Sequence, residues 1–415
     1  MKRTKRIAAA VLALALAVAP AVAADEGIPA IMAERDSGED IAALIAESEA
    51  KDWAVPVEAP ADKAALTVGG KGAVLMEVST GQILFERDSR KHLPIASVTK
   101  VMTLLLVMEA VDEGKIALTD MVTCSAEAAS YGGSQIWLRE NERMSVGELV
   151  KAAAVVSAND ACAALAEHIS GSVEGFVEKM NARAAELGLK DTRFLDCCGL
   201  NDEAYSCAYD VAVISRALIG HELIRQYTTI WMDTLRNGQS QLVNTNKLVR
   251  FYPGATGLKT GTTAAAGHCL SATAERQGLS LVAVILGCDT TAERFGGARK
   301  MLDYGFANYA VITPKVDQKK LTSIPVRHGL GEQVEVEVPS PSPVLVRKGE
   351  EAQVTCEVEL AADLQAPVVK GQTVGKLRVS KDGQTVATLD VLAAQNVGRL
   401  TFFAALERLL RGLAI

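Results

Sequence analysis

The sequence lacks the short motifs that mark several large classes of enzyme. It contains no G-x-S-x-G nucleophile elbow and no dinucleotide-binding motif. No C-x-x-C pair occurs, and no group of cysteines and histidines has the spacing of a zinc site. The five histidines form no obvious pairing with a serine or a cysteine. We therefore expect no metal and no other cofactor, and a serine nucleophile would need a base other than histidine.

A surplus of basic residues is also missing. The 43 lysines and arginines are outnumbered by 50 aspartates and glutamates, which gives a net charge of −7. Proteins that bind nucleic acid usually have a basic surplus, so we expect no nucleic-acid partner. At 415 residues the chain is longer than one ordinary domain, which favours two domains.

The N-terminus has the pattern of a secretory signal peptide. Basic residues within positions 2–6 precede an apolar run from Ile7 to Ala19, and Ala21-Val22-Ala23 is a small-x-small cleavage site. The apolar run is too short to span a bilayer comfortably. We expect cleavage after Ala23 and export of the mature chain, and the alternative is an uncleaved anchor.

All eight cysteines follow that cleavage site, and export permits disulfide formation. Cys162, Cys269 and Cys288 lie in apolar runs, which favours buried thiols that pack as small hydrophobic groups. The better disulfide candidates lie in a turn-rich stretch: Cys197, Cys198 and Cys207. The pairing of eight cysteines cannot be deduced from sequence.

Changes in composition predict a division of the chain. Residues 67–308, here the sheet domain, have strand-like runs at both ends and helical patterns between them. This order predicts an α+β domain in which one antiparallel sheet is flanked by helices. The predicted segments are the signal peptide (1–23), an N-terminal extension and linker (24–66), the sheet domain (67–308), a β-rich domain (309–395) and an amphipathic helix (396–415).

The last two segments differ clearly from the sheet domain. Short alternating runs separated by Pro and Gly predict a small all-β domain, a sandwich or a barrel. A helix at the C-terminus would have one apolar face, which consists of Phe402, Phe403, Leu406, Leu409, Leu410 and Leu413. Such a helix is suited to lie on a membrane surface, and the alternative is docking on its own β-rich domain.

Three short motifs in the sheet domain carry the chemistry: Ser97-Val98-Thr99-Lys100, Ser157-Ala158-Asn159 and Lys259-Thr260-Gly261. Penicillin-binding proteins and class A β-lactamases contain this ordered set. Ser97 and Lys100 share a helix face, and a lysine in an apolar pocket loses its charge more easily and can accept the serine proton.

Each motif alone has an ordinary alternative. Ser-x-x-Lys also describes an exposed polar first turn of a helix. Ser157 and Asn159 also suit helix caps, because serine and asparagine are favoured there. As a functional residue Asn159 would bind a substrate amide or hold Lys100, whereas an isolated lysine such as Lys259 is usually solvated. The three motifs in order favour the catalytic interpretation.

With these motifs, residues 69–308 resemble the D-alanyl-D-alanine carboxypeptidases, the low-molecular-mass penicillin-binding proteins. Further stretches that support the resemblance are Pro94 to Thr103, Gly132-Gly133-Ser134-Gln135 and Gly257 to Thr262. The resemblance implies the penicillin-binding transpeptidase fold. It also implies removal of the terminal D-alanine from peptidoglycan stem pentapeptides, acylation by β-lactams, and a location on the outer face of the cytoplasmic membrane or in the cell wall.

The resemblance also implies roles for individual residues. Ser97 would be the nucleophile, Lys100 its base, and Ser157 the donor of a proton to the leaving amine. The oxyanion hole would be formed by the backbone N–H groups of Ser97 and Thr262. The remaining site residues would be Asn159 and Lys259 beside the reacting centre, Gly261 for close backbone approach, and Thr260, Thr262 and Arg294 for the substrate carboxylate.

Some positions depart from the family pattern. Cys197-Cys198-Gly199 replaces a turn that usually contains Pro or Ala, Asn244 stands where His is frequent, and Thr256 replaces a frequent Asp. A D,D-endopeptidase remains an alternative because it cleaves the same kind of bond. A class A β-lactamase is disfavoured because no E-x-x-x-N motif lies between Asn159 and Lys259. A non-catalytic wall-binding protein is disfavoured because all three motifs are intact.

Overall fold

The computed structural model of the chain describes residues 66–406. The predicted signal peptide (1–23) and the predicted extension (24–66), apart from its last residue, lie outside the described residues, as does the end of the predicted C-terminal helix from 407. Those segments stay predictions, and so do the domain boundaries apart from the start of the C-terminal helix.

The sheet domain contains the following helices and strands. The helices are α1 (Lys100–Asp112), α2 (Ala126–Ala129), α3 (Val146–Val155), α4 (Asn159–Ser170), α5 (Val173–Glu186), α6 (Ala208–Ile219), α7 (Arg225–Thr228), α8 (Leu248–Phe251) and α9 (Thr291–Asn308). The strands are β1 (Gly72–Glu77), β2 (Ile83–Arg87), β3 (Met121–Thr123), β4 (Arg143–Ser145), β5 (Met232–Leu235), β6 (Ser240–Val243), β7 (Ala255–Thr263), β8 (Gly267–Arg276) and β9 (Leu279–Cys288).

One five-stranded antiparallel sheet joins the two ends of the sheet domain. Its strand order is β2-β1-β9-β8-β7, so the first hairpin pairs with the last long strand. All ten residues of β9 are buried because both faces of the sheet are covered. Along β9, Val282 and Val284 pack on one face with the helical core, while Ala283 and Ile285 pack on the other with α9. The predicted α+β arrangement is confirmed.

Helix α1 forms the centre of the helical layer. Its sequence is apolar nearly all round, as expected for a helix with neighbours on every side. Helices α3, α4 and α6 contact it. Because Ser97 and Lys100 stand at its N-terminal end, this packing fixes their backbone within the core.

The β-rich domain follows α9 directly. Its strands are β10 (Tyr309–Ile312), β11 (Ile324–Arg327), β12 (Gln333–Val334), β13 (Val336–Glu337), β14 (Val344–Arg347), β15 (Val354–Leu360), β16 (Leu364–Gln365), β17 (Thr373–Lys381) and β18 (Gln384–Ala393). A four-stranded sheet in the order β13-β18-β17-β15 and a three-stranded sheet in the order β12-β11-β16 enclose a separate apolar core. The predicted all-β domain is confirmed.

The C-terminal helix begins later than predicted. Val397 is buried and pairs with Val368, and Arg399 pairs with Gly329, so residues 396–401 still belong to the β-rich domain. Helical structure starts at 402 and is described to 406. Within residues 66–406, no helix combines the length and the apolar composition that crossing a bilayer requires.

The cysteines are all free thiols, including the three disulfide candidates Cys197, Cys198 and Cys207. Cys207 is the N-cap of α6, since its Sγ accepts a hydrogen bond from Asp210 N. The expectation of buried thiols is confirmed for the remaining named positions, Cys162, Cys269 and Cys288.

Candidate active site

The first motif stands at the start of α1, in the core of the sheet domain. Ser97 lies in a short 3-10 turn, Ala96–Thr99, and Lys100 is the first residue of α1. Lys100 Nζ donates hydrogen bonds to Ser97 Oγ at 2.9 Å and to the carbonyl oxygen of Cys198 at 2.8 Å. Lys100 is 0% exposed and Ser97 is 7% exposed, which rules out a solvated polar turn.

The second motif occupies the break between α3 and α4, as predicted. The N-cap of α4 is Ala158, which makes no side-chain capping bond, so the capping alternative is wrong. Ser157 has a φ of +65° and is fully buried, and its Oγ has no hydrogen-bond partner among the described residues. A buried hydroxyl without a partner is uncommon and indicates a group kept available for a ligand.

Asn159 is held by the loop that precedes α3. Its Nδ2 donates to the carbonyl oxygen of Gly132 at 2.7 Å, and its backbone N–H donates to Ser134 at 2.7 Å. The hydrogen bonds of Lys100 go to Ser97 and Cys198, so Asn159 does not hold Lys100 directly. Asn159 Oδ1 is buried without a partner in the described part of the chain.

The loop at Ile136–Leu138 is in turn fixed by Asp160, the residue after Asn159. The Asp160 carboxylate accepts hydrogen bonds from Ile136 N and Leu138 N. Burial raises the pKa of this carboxyl group, and the backbone N–H groups oppose that rise. The Asp160 side chain therefore anchors the loop and leaves Asn159 beside it.

The third motif lies on the edge strand β7. Lys259 and Thr260 are buried, and Lys259 Nζ donates to the carbonyl oxygen of Thr260 at 2.9 Å. Thr260 Oγ1 donates to Thr245 Oγ1 at 2.7 Å, and Thr245 N donates to the carbonyl oxygen of Val155 at the end of α3. These bonds tie β7 to the break that holds Ser157.

Gly261 brings β7 against the backbone at Ser97. A Cβ atom at this position would lie 2.7 Å from Ile95 O, 2.9 Å from Val98 N and 3.0 Å from Ser97 N. Only glycine fits such an approach. The first and third motifs are thus in direct contact, and the bonds of Thr245 link β7 to the end of α3, just before the second motif.

Arg294 reaches the same place from α9. It is 3% exposed, and its Nη1 donates to Thr262 Oγ1 at 2.9 Å and to the carbonyl oxygen of Gly261 at 3.3 Å. A buried guanidinium next to the Thr262 hydroxyl group is suited to bind a carboxylate. All of the predicted site residues are thus found on the elements that converge at Ser97.

Two groups at the site were missed by sequence reasoning, and both are backbone carbonyls. Cys198 O accepts from Lys100, and Gly132 O accepts from Asn159. Gly132 lies in a stretch that resembles the family and Cys198 in one that departs from it, but a carbonyl oxygen is present at every residue and gives no signal of its own.

Within residues 66–406, one side-chain cluster outside these motifs has the geometry to hold a metal ion: Asp191, Cys207 and Asp210. Its acceptors already have protein partners, although Asp210 Oδ1 has only an ion pair and no hydrogen bond. Asp210 accepts from Asp191 N and Thr192 Oγ1, and Arg90 pairs with both carboxylates at 3.6 Å. These contacts indicate that the cluster anchors the N-terminal end of α6.

Comparison with known proteins agrees with this geometry. Residues 58–290 match the D-alanyl-D-alanine carboxypeptidase family, and residues 309–399 match the penicillin-binding protein 5 C-terminal domain. The chain belongs to the D-alanyl-D-alanine carboxypeptidase family. It is therefore a serine-type peptidase, and the family resemblance drawn from the sequence is confirmed.

Individual relatives of this carboxypeptidase cover most of the chain. D-alanyl-D-alanine carboxypeptidase DacF of Bacillus subtilis is 41% identical over 81% of this chain and 88% of its own length. The crystal structure of penicillin binding protein 5 from Haemophilus influenzae is similar with a TM-score of 0.67 and 32% identity, over 80% of this chain and 98% of that one. Penicillin-binding protein D2 of Listeria monocytogenes, solved in an ampicillin-bound form, has a TM-score of 0.51 and 31% identity, over 58% of this chain and 98% of its own.

Proposed function

We propose that Ser97 attacks the carbonyl carbon of the penultimate D-alanine of a peptidoglycan stem pentapeptide, and that the terminal D-alanine leaves. The observation that carries this proposal is the 2.9 Å hydrogen bond between Lys100 Nζ and Ser97 Oγ inside the apolar core. A serine hydroxyl is a weak nucleophile and needs a neighbouring base, and Lys100 Nζ lies within hydrogen-bonding distance of Ser97 Oγ.

The reaction has two halves. Lys100 accepts the Ser97 proton as the new C–O bond forms. The amide bond then breaks as Ser157 donates its hydroxyl proton to the leaving amine and regains a proton from Lys100. Water next attacks the ester, and its proton returns through the same groups while Ser97 is regenerated. The buried, unpartnered hydroxyl of Ser157 supports its role as the proton donor.

Binding of the substrate uses the β7 side of the site. Thr260, Thr262 and Arg294 hold the terminal carboxylate, and Lys259 adds a positive charge. The oxyanion is stabilised by the backbone N–H groups of Ser97 and Thr262, which belong to segments in direct contact through Gly261. Asn159 Oδ1, buried without a partner in the described chain, accepts a hydrogen bond from a substrate amide.

A matched pair of substrates tests this reaction. Wild-type protein is incubated with a peptide that ends in D-Ala-D-Ala and with one that ends in D-Ala-L-Ala, and released alanine is quantified. We expect release from the first peptide alone, and loss of that release in Ser97→Ala. Release by Ser97→Ala at the wild-type rate would overturn the assignment.

We also infer that the mature enzyme works outside the cytoplasm, against a membrane surface. The basic and apolar start of the chain supports export. Phe402 and Phe403 are 75% and 80% exposed, which is unusual for phenylalanine and supports insertion of the terminal helix into a lipid interface. Co-sedimentation with anionic lipid vesicles tests this, and Phe402→Ser with Phe403→Ser should abolish it while leaving D-alanine release intact.

A further inference from the structure

A turn at residues 196–201 lies against the start of α1. Cys198 O accepts the hydrogen bond from Lys100 Nζ, and Cys197 O accepts one from Thr103 Oγ1 at 2.5 Å. Two successive carbonyl groups are therefore bound by two side chains of α1, one turn apart. The position of the turn and the position of the Lys100 side chain are thus linked.

Asp196 builds this turn. Its carboxylate accepts hydrogen bonds from Cys198 N at 2.7 Å, from Gly199 N, and from Asn201 N at 2.6 Å. Charge-assisted bonds of this kind are about twice as strong as neutral ones. Three peptide units that would otherwise be free to rotate are held by one side chain, and the peptide that presents the Cys198 carbonyl lies among them.

The turn has little freedom to relax once that side chain is lost. Gly199 has a φ of +85°, and a Cβ atom there would lie 1.9 Å from Ala96 O and 2.9 Å from Thr99 Oγ1. The backbone of the turn is thus packed directly on the 3-10 turn that contains Ser97. A change in the turn is transmitted to Ser97 and Lys100 without any intermediate side chain.

We propose that Asp196 is a positioning residue for the base Lys100, acting through the Cys198 carbonyl. A neutral amine has two N–H groups and one lone pair. When one N–H is directed at Cys198 O, rotation about the Cε–Nζ bond is restricted, and the lone pair can be aimed at Ser97 Oγ. This inference rests on the proposed role of Lys100 as the base.

The test measures the second-order rate of Ser97 acylation by a fluorescent penicillin and the kcat and KM of D-alanine release, on the full chain. Asp196→Ala removes all three acceptor bonds and should slow acylation about 10- to 100-fold, because small misplacement of a catalytic group has effects of that size. Asp196→Asn keeps Oδ1 for Cys198 N and Gly199 N, so it should restore acylation to within about threefold of wild type. The loss should appear in kcat, with little change in KM.

Matched controls separate positioning from folding and from the base assignment. Glu203→Ala removes the same charge from an exposed residue of the same loop and should acylate normally. Wild-type acylation by Asp196→Ala, or an Asp196→Asn variant as slow as Asp196→Ala, would overturn the positioning role. Wild-type acylation by Lys100→Met would overturn both the base assignment and this inference, whereas an inactive Lys100→Met beside a normal Asp196→Ala would overturn the inference alone.

Discussion

Gly261 touches the backbone of Ser97 across the boundary between the sheet and the helical layer. The distance from a Cβ atom at Gly261 to Ser97 N would be 3.0 Å, and to Ile95 O only 2.7 Å. The lack of a side chain at Gly261 therefore allows the short distance between β7 and the Ser97 segment. It lets an edge strand approach Ser97 closely, as the proposed oxyanion hole, with backbone N–H groups from both segments, requires.

Gly261→Ala should consequently damage catalysis more than stability. The added methyl group pushes β7 away from the Ser97 segment, and we expect penicillin acylation to slow by about 100-fold. Stopped-flow fluorescence with a labelled penicillin measures the rate, and thermal unfolding measures the stability. Gly278→Ala, at a hairpin tip with open space around it, serves as the control for activity. An unimpaired Gly261→Ala variant would show that the approach is not required.

Ser157→Ala should lower activity without lowering stability. Loss of an ordinary buried serine would do the reverse. Because Ser157 Oγ has no hydrogen-bond partner in the described structure, its removal should leave the free energy of unfolding unchanged or raise it by up to about 1 kcal/mol. D-Alanine release should fall by about 100-fold as proton transfer to the leaving amine is lost.

The matched control for that variant is Ser215→Ala. Ser215 is also fully buried, but its hydroxyl shares a 2.7 Å hydrogen bond with Ser271. Its loss should lower stability by about 1 kcal/mol and leave turnover near wild type. Equal destabilisation of the two variants, measured by denaturant unfolding, would contradict the idea that Ser157 is kept free for the reaction.

Arg294→Ala should reduce recognition of a free C-terminal carboxylate. A hydrogen bond between charged partners contributes about 1.5–3 kcal/mol, so kcat/KM should fall by roughly 10- to 150-fold. Arg294→Lys should recover part of this loss because lysine keeps the charge without the planar donor pair. A peptide amide is the diagnostic substrate: wild type and Arg294→Ala should cleave it equally slowly. An Arg294→Ala variant that still prefers the free acid would remove Arg294 from the binding site.

The thiols should be unreactive in the folded protein. Burial raises the pKa of Cys162 to about 12 and that of Cys269 to about 11, so both stay protonated at pH 8, where only a thiolate reacts. Titration with a thiol reagent should detect at most Cys356, the one cysteine that is partly exposed, in native protein. In denaturant it should detect all eight. Fewer than eight would reveal a disulfide and contradict the free thiols of the structure.

The chemistry of the site was predictable because it depends on side-chain identity and order. Ser97, Lys100 and Lys259 are defined by motifs, and the strand-like runs at both ends of the sheet domain indicated strands that meet in one sheet. Cys198 acts through its carbonyl oxygen, which no residue type signals. The nearby Cys197-Cys198 pair instead suggested a disulfide, since sequence does not show that both thiols are packed in the core.

The start of the terminal helix shows the same limit. The apolar face of the predicted helix began only at Phe402, and the segment from 396 was joined to it because local sequence showed no break between them. The backbone of Val397 pairs with Val368, a residue distant in sequence, and this pairing places Val397 in the β-rich domain. Contacts of this kind override local pattern.

The central claim is that Ser97 forms the acyl-enzyme with Lys100 as its base. Intact-protein and peptide mass spectrometry after brief exposure to benzylpenicillin tests it most directly. The account predicts one penicilloyl group, located on the peptide that contains Ser97, which is absent in Ser97→Ala and forms very slowly in Lys100→Met. A penicilloyl group on a different residue, or wild-type labelling of either variant, would contradict it.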